Sequence, residues 1–145
     1  MNEILSSIYS RLTSSALLVS MVGELDGGPS IFSTQPIAPA NATDSEKEAI
    51  FPMVQIEDVV TDVPFDTKTS EGREVVVDVG CYAIQDGSLI KINELAAQVR
   101  SLFDTDLTVN GYSTVLTMVV GGPVPSDGDR VYGRIITVRL ILEKE

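Results

Sequence analysis

Between residues 51 and 145 the apolar residues recur at strand spacing, except in one stretch where the period lengthens to that of a helix. Ile92, Leu95, Ala96, Val99, Leu102 and Phe103 fall at i, i+3, i+4, i+7, i+10 and i+11, which is one stripe of a helix over 89–103. Lys91, Glu94, Gln98 and Arg100 mostly face away from that stripe. Asp86-Gly87-Ser88 breaks the pattern before it and offers an N-cap. Strand-type runs lie on both sides, over 51–60 and 74–84 before the helix and 112–120 and 131–143 after it. The connections within each pair of runs are polar or rich in Gly and Pro, as hairpins require. Strands that come in pairs, and do not alternate with helices, predict an α+β fold: a mainly antiparallel sheet with helices packed on one face. The run 74–84 has apolar residues at both parities, with Val75-Val76-Val77 followed by Val79, which predicts a central strand covered on both sides.

The N-terminal segment is helical by the same criterion. Ile4, Leu5, Ile8 and Leu12 recur at helical spacing, the pattern breaks at Thr13-Ser14-Ser15, and Ala16, Leu17, Leu18, Met21 and Val22 resume it before Gly23. Either one kinked helix or two short ones result, with Ser14 capping the second. Residues 24–50 are irregular, with a turn at Gly27-Gly28-Pro29, a short strand starting at Ile31-Phe32, and an extended stretch through Pro36 and Pro39. At 145 residues the chain is long enough for one hydrophobic core. The expected organisation is a single domain over 1–145, made of a helical segment 1–23, a variable loop 24–50, and the sheet plus helix over 51–145.

Side-chain chemistry narrows the function. The chain has no histidine, so one subunit lacks a Ser-His-Asp triad, an imidazole ligand and a histidine base. Its one cysteine, Cys81, lies within an apolar run and reads as a small buried hydrophobe. A reactive thiol is the alternative, without a histidine to activate it. Asp104-x-Asp106-x-Thr108 begins like a calcium loop, but Val109 stands where glycine is needed. Asp127-Gly128-Asp129 runs straight into a strand, and Asp58, Asp62 and Asp66 are strung along a strand end and loop. Gly121-Gly122-Pro123 lacks the lysine and helix of a phosphate loop. No catalytic, cofactor or metal site is expected. Ten basic residues against 21 acidic ones leave a net charge of −11. That argues against a surface that grips nucleic acid or an anionic membrane, although DNA could slide past it without sticking. The first helix carries Glu3 and Arg11 and does not read as a signal peptide, so the expected compartment is the cytoplasm or a particle assembled there.

Five segments, taken in order, carry a resemblance. They are Ala16-Leu17-Leu18-Val19-Ser20-Met21-Val22-Gly23; Phe51-Pro52-Met53-Val54-Gln55-Ile56; Arg73-Glu74-Val75-Val76-Val77-Asp78-Val79; Ala96-Ala97-Gln98-Val99-Arg100-Ser101-Leu102; and the closing strand pair from Asp129 to Leu142. In this order they resemble the tail terminator (tail completion) family of long-tailed bacteriophages and related gene-transfer particles. The resemblance covers most of the chain and rests on patterns of residue type. It implies a non-enzymatic structural protein at the head-proximal end of a virion tail. Such a protein forms a homo-oligomeric ring, usually six-fold, that caps the tail tube, stops its growth and joins the head-completion or neck proteins. DNA passes through the lumen without specific binding. It also leads to an expectation for Phe65, Asp66, Lys68 and Arg73: contact with the tube or a neighbouring subunit. Another neck or head-completion protein of the same particle, or a small non-enzymatic α+β binding domain, are the alternatives.

Overall fold

Val75, Val77, Val79 and Cys81 alternate with Glu74, Val76, Asp78 and Gly80, and in the computed structural model this alternation becomes the two faces of a central strand. The structure describes residues 2–25, 27–33, 48–64, 71–84, 89–124 and 131–145. Helices α1 (Asn2–Thr13) and α2 (Ala16–Met21) come first, followed by three short strands, β1 (Glu24–Leu25), β2 (Gly28–Pro29) and β3 (Ile31–Phe32). The long strands β4 (Met53–Pro64) and β5 (Gly72–Ile84), helix α3 (Ile90–Ser101), and strands β6 (Tyr112–Val124) and β7 (Val131–Lys144) complete the chain. Five strands form one sheet in the order β3-β4-β5-β7-β6, antiparallel except where β3 runs parallel to β4. β1 and β2 form a separate two-stranded ribbon.

The register decides which side is the core. Val75 lies opposite Leu140, Val77 opposite Val138 and Val79 opposite Ile136, and all six are buried. Ile4, Ile8 and Leu12 from α1, Leu18 from α2, and Ile92, Leu95 and Val99 from α3 close over this face. α3 lies against β5, β6 and β7, and α1 against β3 and β4. Each such side chain contributes about 1.5–3 kcal/mol on leaving water, so the stripe read from the sequence is enough to dock α3. The fold is α+β with the helices on one face of a mainly antiparallel sheet.

Four expectations need correction. β5 is central, but among the described residues helices cover one side only: Glu74, Val76, Asp78, Tyr82 and Ile84, on its other face, are half-buried. The strands outrun their sequence signals because the β4–β5 ladder continues to the pair Pro64–Arg73, where a proline at a strand end forfeits little. α3 is shorter than 89–103. Leu89 occupies its N-cap position without a side-chain cap bond, and Asp86-Gly87-Ser88 lie outside the described residues. The second N-terminal helix is capped by Ser15, not Ser14. Ser14 still donates its N–H to Ser10 O at 3.0 Å, as the end of α1, while the extended Ser15 accepts from Leu18 N at 3.2 Å.

Arg11 ties the helical layer together. Its guanidinium donates to the carbonyls of Leu102 at 3.0 Å, Thr105 at 2.8 Å and Asp106 at 2.8 Å, and to the Thr105 hydroxyl at 3.2 Å. α1 is thereby fastened to the turn that carries the chain from α3 into β6. Arg11→Met keeps the aliphatic stem and removes the donors. The site is partly open to water, so the freed carbonyls are rehydrated and the expected loss is about 2 kcal/mol. Thermal unfolding should show it as a fall in Tm of roughly 5 °C.

Candidate assembly interface

Of the four residues singled out for assembly contacts, the structure describes one. Phe65, Asp66 and Lys68 lie outside the described residues. Arg73 is placed, and it belongs to β5. Its fork closes on Asp62 of β4, with Nε 2.9 Å from Oδ1 and a second terminal nitrogen on Oδ2. The other terminal nitrogen donates to the Tyr112 hydroxyl at 3.2 Å, and the guanidinium carbon stands 5.9 Å from the centre of that ring. Hydrogen bonding to Asp62, and then to Tyr112, raises the Arg73 pKa above the usual arginine value. One side chain thus fastens the ends of β4, β5 and β6. Beside it, Pro64, Glu71, Gly72 and Lys144 help line an open cleft of about 430 Å³.

The sheet face away from the helices is a second candidate surface. Val76, Ile135 and Ile141 are half-buried there among polar pairs. Arg139 donates to Glu74 at 3.0 Å, Thr137 to Asp78 at 2.7 Å, and the Tyr82 hydroxyl to Glu57 at 2.6 Å. The last pair depends on Gly80. A Cβ there would stand 2.6 Å from both Glu57 Oε1 and the Tyr82 ring, so only glycine lets them meet across the strand. The polar groups of this face are thus paired within the chain around branched apolar side chains.

A third surface is an open groove of about 1010 Å³ between α1 and residues 101–110, lined by Ser6, Ser7, Ser10, Ser14, Arg11 and Asn110 among others. Its charged centre, Arg11, is already committed to backbone carbonyls. Cys81 is free and buried, and desolvation pushes its thiol pKa up to about 12. Among the described residues no three of Asp, Glu, Cys and His gather as metal ligands would. Three residues with defined structural roles escaped the sequence reading: Arg11, Gly80 and Glu57. Only the lone arginine on an otherwise uncharged stretch of α1 left a signal, since the partners of all three lie far along the chain or across a strand.

No protein-family model and no curated protein matches the chain. Among solved structures, a chain described as belonging to the virion of a native gene transfer agent particle is similar over 96% of this chain and 93% of its own length. The TM-score is 0.68 and the sequence identity 15%. The two share a fold from end to end.

Proposed function

We propose that this chain is a non-enzymatic structural protein of a phage-like particle, and that it ends the tail tube as a ring facing the head. The observation that carries the reading is the fold, shared along nearly the full length of both chains with a component of a gene transfer agent virion. The open sheet face supports it, since a half-buried apolar surface set with polar pairs suits a neighbour better than bulk water. Side-chain chemistry supports it too: a chain without histidine, whose only thiol is buried and held protonated, is poorly equipped for catalysis.

The ring has two unlike ends, one accepting the last layer of the tube and the other offered to the neck. Six copies at −11 each carry −66. A charge of that size repels DNA from the lumen wall and lets the genome pass, and it calls for basic surfaces on the adjoining rings. The reading is tested by electron microscopy of particles assembled without this chain. Overlong tubes without heads are the expected result. Tails of normal length beside unfilled or leaking heads would move the chain to a head-completion role in the neck.

A further inference from the structure

The sheet ends in two unlike edges. β6 has a single neighbour, β7, and among the described residues nothing pairs with its outer side along Tyr112–Val124. None of those 13 residues is charged, so this edge lacks the lysines and inward charges that usually discourage strand addition. At the opposite edge β3 covers β4 only at Val54 and Gln55. Beyond that point β4 shifts register twice, between Ile56 and Val59 and between Val59 and Thr61, and carries Glu57, Asp58 and Asp62 without a basic residue. Regular pairing with β5 returns at 61–64, where Val63 is 46% exposed.

We propose that the outer edge of β6 pairs with residues 61–64 of β4 in the next copy, so that the sheet continues from subunit to subunit around the ring. The inference rests on the ring reading above. A ring with unlike ends has rotations about its own axis as its only symmetry, so every contact joins two different patches and β6 does not meet β6. Strand direction agrees. β4, β5, β7 and β6 alternate up and down, so a rotated copy presents its β4 antiparallel to β6 and the alternation continues unbroken. Charge agrees as well. Two β4 edges would set acids against acids, whereas an uncharged β6 meets them without repulsion. The bulges and acids of β4 then serve a second purpose, keeping free copies from joining edge to edge before assembly.

Disulfide trapping tests the pairing. Val63→Cys is combined in turn with Leu116→Cys, Met118→Cys and Val120→Cys, and each protein is oxidised both pure at high concentration and in assembled particles. At least one combination is expected to give a ladder of dimers, trimers and higher species on a non-reducing denaturing gel. Dimers from Met118→Cys alone would show β6 meeting β6 and overturn the proposal, as would the absence of a ladder from every combination in both settings. Met118→Glu should weaken assembly about tenfold, with Val63→Lys restoring it, once the melting temperature of each free chain has shown that it folds. A Met118→Glu chain that assembles like the wild type also overturns it. The two readings fail separately. Overlong tubes in the absence of the chain, with no ladder, refute the strand pairing and leave the ring. A ladder with tubes of normal length keeps the strand pairing and moves the chain from the end of the tail tube to the neck.

Discussion

Replacing Gly23 by alanine is expected to cost roughly 3–5 kcal/mol of stability, the sum of an overpacked contact and broken backbone hydrogen bonds. The chain leaving α2 at Gly23 passes directly beneath the segment that leads into β4. A Cβ at Gly23 would stand 2.2 Å from Ala49 O and 2.6 Å from Ile50 O. Both are backbone atoms, so no rotamer change relieves the clash and the two segments must separate. Gly23 N–H donates to Pro52 O at 2.7 Å and Glu24 N–H to Ala49 O at 3.0 Å, and both bonds span the gap that would open. The disturbance continues outward: Ser30 N–H bonds to Gly23 O at 3.0 Å and Val54 N–H to Ser30 O at 2.9 Å, which is how β3 is laid against β4. Ile31, at the start of β3, is part of the core. Urea unfolding should show a lower midpoint with an unchanged slope. Gly28→Ala is the control. A Cβ there meets only Leu25 O, at 3.7 Å, an ordinary contact, so the change should stay within about 0.5 kcal/mol. Equal costs at the two glycines would mean that the close approach at Gly23 is not part of the native fold.

Gly23 also shows where reading from sequence stops. As a full stop after Ala16–Met21 it was legible, because glycine commonly follows a helix. Its reason for being glycine was not, since Ala49 and Ile50 lie on a distant stretch of the chain. The same division runs through the molecule. The stripe of Ile92, Leu95 and Val99 announced α3 because a periodic pattern is local, and the apolar run over 74–84 announced a strand for the same reason. Where β4 and β5 end depends on their ladder and on the Arg73–Asp62 fork, which no window on either strand contains. The expectation that β5 is covered on both faces followed from Val76 beside Val75 and Val77. Among the described residues the helices pack on one face only, and the stretch Val75-Val76-Val77 by itself does not reveal which side they take. At the candidate site, Arg73 was legible as a charged residue heading a strand. That its fork turns to Asp62 and Tyr112 is a property of three strand ends brought together.

Raising the pH should destabilise the wild-type chain relative to Cys81→Ala, by roughly 1.4 kcal/mol per pH unit across the window set by one thiol. Cys81 sits on the core face of β5, in register with Val54 of β4, and is fully buried. Desolvation raises its pKa from 9.0 to about 12. Between those values the folded chain keeps a proton that the unfolded chain has lost, so the unfolded state is favoured increasingly as pH rises. The contribution of the neutral thiol is complete below about pH 9, declines above it and is exhausted near pH 12, a total of roughly 4 kcal/mol. Every other ionisable group is common to both proteins, so the difference between wild type and Cys81→Ala isolates the thiol. At pH 8 the wild type should be the more stable, because alanine leaves a small void in the core. By pH 11 the order should reverse. Urea unfolding of both proteins at pH 8, 9.5 and 11 measures the crossing. A constant difference across the series would mean that the thiol ionises as readily in the folded chain as in the unfolded one. Cys81 would then be available as a nucleophile, and the non-catalytic reading of the whole chain would lose one of its two chemical supports.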